Sequence, residues 1–203
     1  MIPPTIFQFW IGPKKPPTEW MQSWLLKNPN MNYEVWNEKH IDEFGLVNRD
    51  KYDNCIANGY YAAATDVAKV EILERFGGVY LDADLICLEP IENESLMQRD
   101  FFAVPELNGR VNNAVIGSVA HHPILQEYIK RIGQVESKTD PAAFAGLVLT
   151  RCIYEYLKKD NIEILPSCSF HPVSQRGYKA PIEGKIYANH FWGQTKSLYE
   201  QQG

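Results

Sequence analysis

The hydrophobic pattern of the chain predicts strands that alternate with helices. Short apolar runs rich in β-branched and aromatic residues, each followed by Gly, Pro or Asn, indicate strands. Apolar residues that recur every three or four positions indicate helices. The predicted strands are 5–11, 33–36, 79–88, 101–104, 114–118 and 186–192, and the predicted helices begin at Thr18 or span 60–76, 123–132 and 141–157.

Segment 60–76 carries the clearest helical pattern. Its apolar stripe predicts a buried face, and Gly77 directly after it is a typical C-cap residue. Asp66 lies one turn before Val70 and leans toward the apolar side, where it is a functional carboxylate, a solvated helix carboxylate or a cap at the edge of the packing. Glu71 precedes Arg75 by four positions and is predicted to form a surface ion pair with it. The stripe comprises Val67, Val70, Leu73 and Phe76.

Two carboxylates interrupt the apolar run 79–88, which contains no turn former. In an extended strand Asp82 and Asp84 would leave the same face, and two like charges that close repel each other. Either the pKa of one aspartate is raised or both approach a bound divalent cation, and carboxylate oxygens suit Mg²⁺ or Mn²⁺. The alternative is a strand end turned into solvent, where both aspartates would be ordinary surface residues.

Composition narrows the class of protein. A chain of 203 residues without repeats or linkers predicts one domain, and a net charge of −5 argues against nucleic acid as a partner. The four cysteines have no close pair and are predicted to be reduced and buried. No apolar run reaches the roughly 18 residues of a membrane span, and the first residues lack the features of a signal peptide. We therefore expect a cytoplasmic protein.

Several segments occur in an order that resembles glycosyltransferase family 32. They are Ile2-Pro3 with 8–12, then 63–69 with Asp66, then the Gly-Gly-x-Tyr-x-Asp-x-Asp block 77–84. This family of DXD-containing sugar transferases is distantly similar to the clostridial glucosylating toxins. The resemblance implies a GT-A type, Rossmann-like α/β fold in a single compact domain, 1–203. The nucleotide-sugar-binding core would span about 1–120, and the acceptor and diphosphate-binding part about 121–203.

The resemblance also implies roles for residues of the first half. Trp10 would stack on the donor base, although a core aromatic is the alternative. Asp66 would accept hydrogen bonds from the ribose or donor sugar, with Lys69 near the phosphates at a position where the family usually has Arg. Tyr80 would belong to the donor site. Asp82 would hold ribose and sugar hydroxyls and approach the metal ion.

Further implied roles concern the metal and the later residues. Asp84 would be the principal metal ligand, with His190 completing the site unless it is structural. Gly193 and Lys196 would form a diphosphate-binding turn after His190. Asn113 would face the sugar, unless it is a turn residue. Glu106 and Asp140 are candidates for the acceptor or sugar-specificity side, and His121-His122-Pro123 is interpreted as a helix entry.

The implied activity is metal-dependent hexose transfer with retention of anomeric configuration. The donor would be UDP-galactose, UDP-glucose or UDP-N-acetylglucosamine, the cofactor Mn²⁺ or Mg²⁺, and the acceptor a saccharide or glycolipid in cell-surface polysaccharide synthesis. At most a peripheral association with the inner face of the membrane is expected. The chain departs from the family at Phe7, where His is frequent, and in its shortness. A haloacid-dehalogenase-like phosphatase and a non-catalytic sugar-nucleotide-binding protein are the alternatives.

Overall fold

The computed structural model describes residues 1–136, 146–156, 161–193 and 196–200. Eight strands and six helices lie within these ranges. The strands are β1 (Thr5–Phe9), β2 (Asn32–Trp36), β3 (Gly78–Leu81), β4 (Leu85–Cys87), β5 (Phe101–Pro105), β6 (Val111–Ser118), β7 (Ile162–Ile164) and β8 (Ala188–His190). The helices are α1 (Thr18–Lys27), α2 (Glu38–Phe44), α3 (Arg49–Ala57), α4 (Tyr61–Phe76), α5 (Pro123–Gly133) and α6 (Gly146–Tyr156).

Six of these strands form the central sheet, in the order β2-β1-β3-β6-β5-β7. Strand β1 pairs in parallel with β2 and β3, and β5 pairs in parallel with β7. Strand β6 is antiparallel to both β3 and β5, so it alone runs against the other five. The predicted α/β class is confirmed, and the carboxyl ends of β1 and β3 lie side by side, where ligands of such sheets usually bind.

Two apolar cores cover the two faces of this sheet. Successive residues of β1 point to opposite faces, so Phe7 packs in the core with α4 while Ile6 joins the core with Trp24. Trp24 is fully buried, and its Nε1 donates a hydrogen bond of 2.8 Å to the Leu85 carbonyl. The alternation predicted from the apolar runs therefore matches the packing of the sheet.

The predicted continuous strand 79–88 is wrong. Strand β3 ends at Leu81, a turn follows, and β4 leaves the central sheet to pair with β8. The Asp82 amide still donates to the Ala114 carbonyl of β6 at 2.8 Å, and the Leu85 amide closes the turn onto the Asp82 carbonyl at 3.2 Å. The two aspartates therefore lie in a turn between two sheets and do not project from one face of a strand.

Helix α4 confirms the predicted segment 60–76 with a shift of one residue at its start. Gly77 ends it with φ +65°, as expected for a glycine C-cap. Phe76 does not belong to the buried stripe, because 46% of it is exposed. Its ring lies instead among surface aromatic rings, 5.9 Å from that of Phe44 and 6.2 Å from that of Trp36.

Glu71 is not part of a surface ion pair with Arg75. It is 3% exposed, and its carboxylate accepts hydrogen bonds from the Val47 amide at 2.6 Å and the Asn48 amide at 2.9 Å. The Asn48 side chain donates a third bond of 3.0 Å. Burial raises the pKa of Glu71, and these three donors oppose the rise. The sequence spacing could not reveal that the segment before α3 supplies these partners.

Three elements were not predicted because they are short and carry no periodic apolar stripe. They are α2, α3 and β7. Helix α2 begins at a capping box in which the Asn37 side chain accepts from the His40 amide and the His40 ring accepts from the Asn37 amide. The strand predicted at 186–192 is confirmed only as β8, and the parts of the helix predicted at 141–157 that precede Gly146 or follow Tyr156 lie outside the described residues.

The remaining predictions concern the cysteines, the start of α5, membrane-spanning segments and the division of the domain. All four cysteines are free and buried, as expected. His122 caps α5 by accepting from the Ile124 amide, which confirms the helix entry predicted at His121-His122-Pro123. None of the helices within the described residues is long and apolar enough to span a bilayer. The division into a donor core and an acceptor part stays a prediction.

Candidate active site

A cavity of about 470 Å³ opens at the carboxyl ends of β1 and β3. Its volume lies within the usual range for small-ligand sites, about 300–1,000 Å³. Apolar and aromatic walls surround a floor that carries the carboxylates predicted from the sequence. The lining includes Trp10, Tyr61, Asp66, Tyr80, Asp82, Asp84, Asn113, His190, Trp192 and Tyr199.

Asp82 is held at the floor by contacts to its backbone and its side chain. The Gln8 side chain donates to the Asp82 carbonyl at 3.2 Å and in turn accepts a 2.5 Å hydrogen bond from the Tyr33 hydroxyl. The Tyr80 hydroxyl donates to Oδ1 of Asp82 at 2.5 Å. Asp82 lines the cavity, and 32% of its side chain is exposed.

Lys69 lies beneath the cavity and not in its lining. Its side chain is 1% exposed, and Nζ is 2.7 Å from Oδ1 of Asp66 and 3.7 Å from Oδ1 of Asp82. Nζ also lies 4.5 Å from the centre of the Tyr80 ring, where a cation is attracted to the aromatic face. Lys69 thus compensates two carboxylates from below, and the place near the phosphates that the family resemblance implies for it is wrong.

Asp84 and His190 meet because of the register between β4 and β8. Leu85 pairs with His190, which brings the histidine ring beside the residue that precedes Leu85. Nε2 of His190 is 3.0 Å from Oδ1 of Asp84, and the Gly193 amide donates to Oδ2 at 2.6 Å. The Phe191 amide donates to the Asp84 carbonyl at 3.0 Å. The end of the chain therefore completes a site that begins after β3.

The two aspartates differ in their electrostatic environment. Burial raises the pKa of the Asp82 carboxyl; the charge of Lys69 opposes this rise and that of Asp84 adds to it. Burial alone would also raise the pKa of Asp84, but the charge and hydrogen bond of His190, with the Gly193 amide, outweigh it and lower that pKa. Asp84 is therefore the more readily ionised carboxylate of the pair.

The donor set formed by these residues fits a divalent cation. Asp82, Asp84 and His190 each offer one ligand atom, and the three atoms lie within 4.8 Å of one another. Carboxylate oxygens suit Mg²⁺ and Mn²⁺, and an imidazole nitrogen favours a transition metal over Mg²⁺. Three protein ligands would leave other coordination positions open to a bound substrate.

Tyr199 is a site residue that the sequence did not indicate. It belongs to the 3₁₀ turn Leu198–Glu200, and its ring meets that of Trp10 edge-on with centroids 5.1 Å apart. Its hydroxyl hydrogen-bonds to Asp84, and burial together with that carboxylate raises the Tyr199 pKa. Gly193 permits this approach, because a Cβ there would lie 2.5 Å from the tyrosine ring. A tyrosine in an irregular C-terminal segment carries no sequence pattern that marks it.

The structure also brings two buried polar residues to the site that were not predicted. Gln8 stands in the otherwise apolar strand β1, and this break in the pattern was a signal. Nδ1 of His171 is 3.2 Å from Nδ1 of His190. Burial and the charge of His190 hold the pKa of His171 well below its usual range. His171 lies in a loop without periodicity, so its sequence position gave no indication of this contact.

The other predicted site residues are Trp10, Asn113 and Lys196. Trp10 lines the cavity, and its Nε1 donates to the Lys14 carbonyl at 2.7 Å. Asn113 also lines it, with its Nδ2 3.4 Å from the Tyr128 hydroxyl. Lys196 is exposed, and its amide donates to the Trp192 carbonyl at 2.9 Å. Trp10 and Asn113 are therefore placed to touch a bound ligand.

Glu106, one of the two acceptor-side candidates, is not among the residues that line this cavity. Glu106 accepts a 2.9 Å hydrogen bond from the Asn112 side chain at the turn between β5 and β6. Asp140 lies outside the described residues. Neither residue gains support as a site residue from the structure.

Comparison of the sequence with known proteins agrees with this geometry. Residues 17–102 match the family described as "Glycosyltransferase sugar-binding region containing DXD motif". A protein of Acanthamoeba polyphaga mimivirus named as an uncharacterized glycosyltransferase is 28% identical over 186 residues, which cover 85% of this chain and 74% of that protein. A Homo sapiens alpha-1,4-N-acetylglucosaminyltransferase is 23% identical over 64% of this chain and 42% of its own length.

A third relative and two solved structures extend the comparison. An inositol phosphoceramide mannosyltransferase of Schizosaccharomyces pombe is 25% identical over 64% of this chain and 37% of its own length. The chain thus spans less than half of the human and yeast relatives. The PaToxG glycosyltransferase superposes with a TM-score of 0.65 at 18% identity, covering 77% of this chain and 69% of that one.

The UDP-bound glycosyltransferase domain from the YGT toxin superposes with a TM-score of 0.62 at 10% identity, over 81% of this chain and 79% of that domain. At these identities the structures establish the fold alone, which is that of GT-A glycosyltransferase domains. The matched region includes Asp66, Asp82 and Asp84. The chain is therefore similar to DXD-containing glycosyltransferases over residues 17–102 and has the fold of GT-A glycosyltransferase domains.

Proposed function

We propose that this chain transfers a hexose from a UDP-sugar to a saccharide or glycolipid acceptor, with retention of anomeric configuration and dependence on a divalent cation. The observation that carries the proposal is the cluster of Asp82, Asp84 and His190 at the floor of a cavity of about 470 Å³. Carboxylates and an imidazole that converge beside an open, aromatic-walled space are suited to a cation that also contacts a diphosphate.

The proposed metal ligands are Asp84 and His190, with Asp82 beside them. The chemistry that a bound cation supplies is stabilisation of the negative charge that develops on the leaving diphosphate. Mn²⁺ fits this site better than Mg²⁺, because one ligand is an imidazole nitrogen. The Gly193 amide keeps Asp84 oriented toward the cavity through its 2.6 Å bond.

The donor would be held by groups that line the same cavity. Asp66 and Asp82 would accept hydrogen bonds from ribose and sugar hydroxyls, while the Lys69 ammonium holds both carboxylates in place from below. Trp10 would stack on the base and Asn113 would face the sugar. Lys196, exposed on the C-terminal segment, would contribute positive charge toward the diphosphate.

Retention fits a site that offers orientation and electrostatic stabilisation. In a front-face mechanism the leaving diphosphate oxygen takes the proton of the acceptor hydroxyl, which attacks from the same side. The protein then positions the two reactants and excludes water. The human relative is named as an alpha-1,4-transferase, and α-linked products from α-linked UDP-sugars require retention.

The donor and the acceptor are proposed from weaker resemblances. A domain of the same fold was solved with UDP bound, which supports UDP as the nucleotide. One relative is named for transfer of N-acetylglucosamine, which supports UDP-N-acetylglucosamine among the three candidate donors. Another is named as an inositol phosphoceramide mannosyltransferase, which supports a lipid acceptor. Synthesis of cell-surface polysaccharide is the proposed context, and the cytoplasmic location stays a prediction.

Calorimetric titration with nucleotides tests this proposal without knowledge of the acceptor. We expect UDP to bind in the presence of Mn²⁺ at least about tenfold more tightly than without it, because an added charge-assisted contact of about 1.4 kcal/mol corresponds to that factor. We expect GDP to bind more weakly than UDP under the same conditions. UDP affinity that is unchanged by Mn²⁺ or by chelator would contradict the metal-dependent site.

A further inference from the structure

His171 is in contact with the proposed metal ligand His190 and has no role in the function derived so far. It follows the 3₁₀ turn Ser167–Ser169, and its amide donates to the Ser167 carbonyl at 2.8 Å. The residue is 1% exposed. Its Nδ1 is 3.2 Å from Nδ1 of His190, while its Nε2 has no hydrogen-bond partner among the described residues. A buried polar atom without a partner requires an explanation.

The short contact between the His171 and His190 rings restricts which of their nitrogens carry a hydrogen. Two facing nitrogens 3.2 Å apart are stabilised when one of them carries a hydrogen and the other accepts it. Two neutral tautomers satisfy this condition. Either His171 donates from Nδ1 and His190 carries its hydrogen on Nε2 toward Asp84, or His190 donates from Nδ1 and leaves Nε2 as a lone pair.

Metal binding selects between these two states. A histidine ligand presents a lone pair to the ion, and its other ring N–H needs an acceptor that fixes the tautomer. Nε2 of His190 faces Asp84, so Nδ1 must carry the hydrogen. Nδ1 of His171 lies within hydrogen-bond distance of that atom.

The orientation of both rings is fixed by Trp192. The indole stacks on the His190 ring with centroids 4.0 Å apart and also contacts the His171 ring at 5.5 Å. Its own Nε1 is held by the Val173 carbonyl at 3.0 Å. Rotation of either imidazole away from the other would break this packing, so the nitrogen-to-nitrogen contact is a built feature of the site.

We propose that His171 is a positioning residue for the metal centre. His171 accepts the Nδ1 hydrogen of His190 and so holds the Nε2 lone pair of His190 toward the cation. The inference rests on the proposed metal site. His171 does not touch the cation or the donor; it acts through His190. In this arrangement neutral His171 carries its hydrogen on the buried Nε2. Burying that N–H without a hydrogen-bond partner costs free energy, and this tautomer carries that cost.

Two substitutions separate this role from simple packing. In His171→Asn the side-chain oxygen can occupy the position of Nδ1 and still accept the hydrogen, although the smaller residue leaves a cavity. In His171→Leu a methyl group takes that position, the volume is nearly kept and the unpaired polar atom is removed. If His171 only packs, the Mn²⁺ affinity of the two variants should rank in the same order as their stability. If it positions His190, the His171→Asn variant should keep its Mn²⁺ affinity and the His171→Leu variant should lose it.

The test is titration of Mn²⁺ followed by electron paramagnetic resonance, with a fixed amount of UDP and a UDP-only control. We expect His171→Leu to bind Mn²⁺ about 10- to 100-fold more weakly than the unaltered chain, and His171→Asn to stay within about threefold of it. Thermal unfolding of both variants supplies the stability ranking. Equal Mn²⁺ affinity for the Leu variant and the unaltered chain would overturn the inference.

A measurement on the unaltered chain covers the case in which a variant does not fold. Nitrogen NMR of the histidine rings with UDP and diamagnetic Cd²⁺ should show His190 protonated on Nδ1, and protonation on Nε2 would refute the assignment. Absence of Mn²⁺ and Cd²⁺ binding by the unaltered chain would instead remove the proposed metal site, and this inference with it. The two failures are thus distinguishable.

Discussion

Asp84→Asn is expected to lower nucleotide release from the donor by about a hundredfold to a thousandfold, on the scale of losing a principal charge-stabilising contact. The amide is neutral and has one oxygen, whereas the carboxylate contacts His190 through one oxygen and the Gly193 amide through the other. Asparagine can keep one of these hydrogen bonds, so the fold should persist. The expected loss of activity therefore comes from weaker cation binding and from poorer stabilisation of the charge on the leaving diphosphate.

The assay compares both proteins at the same Mn²⁺ concentration, with circular dichroism as the check on folding. Asp50→Asn is a matched control, since Asp50 is exposed on α3 and takes no part in the site. We expect the control to keep the activity of the unaltered chain. Activity of the Asp84 variant within about tenfold of that level would exclude Asp84 as an essential ligand.

Lys69→Met is expected to destabilise the chain by about 3–5 kcal/mol, the usual cost of removing one partner from a buried ion pair. Methionine fills much of the space of the lysine stem but leaves Asp66 and Asp82 without the positive charge that lies 2.7 Å and 3.7 Å from their oxygens. The contact of the ammonium with the Tyr80 ring is lost as well. Donor binding should weaken in the same variant, because both carboxylates are proposed to hold sugar and ribose hydroxyls.

Urea unfolding measures the first effect directly. Lys130→Met is the control, since Lys130 is exposed on α5 and forms only a surface pair with Glu127 at 3.4 Å. Its free energy of unfolding should change by no more than about 0.5 kcal/mol. A similarly small change for Lys69→Met would show that Asp66 and Asp82 do not depend on the buried ammonium.

The parts of the fold that follow from local pattern could be predicted from the sequence. Helix α4 was predicted because its apolar residues repeat with helical period and Gly77 ends it. Strands β1, β2, β5 and β6 were predicted because apolar runs end at turn formers. Asp82 and Asp84 stood out because charge inside such a run requires a compensating group.

The parts that depend on long-range pairing could not be predicted in this way. Nothing local distinguishes an apolar run that stays in one sheet from one that changes sheets, so the break after Leu81 was missed. The position of His190 beside Asp84 depends on the register of β4 with β8, two strands about a hundred residues apart in sequence. Glu71 was assigned to the surface because its partner Asn48 lies in a segment without a sequence signal.

Release of nucleotide from a panel of UDP- and GDP-sugars with Mn²⁺, in the absence of acceptor, tests whether the chain is a metal-dependent nucleotide-sugar transferase. We expect slow hydrolysis of one UDP-sugar by the unaltered chain, which chelator abolishes and Mn²⁺ restores. The identity of that sugar would name the donor. Release that proceeds equally in the presence of chelator, or a complete lack of release and of nucleotide binding across the panel, would contradict a metal-dependent nucleotide-sugar transferase.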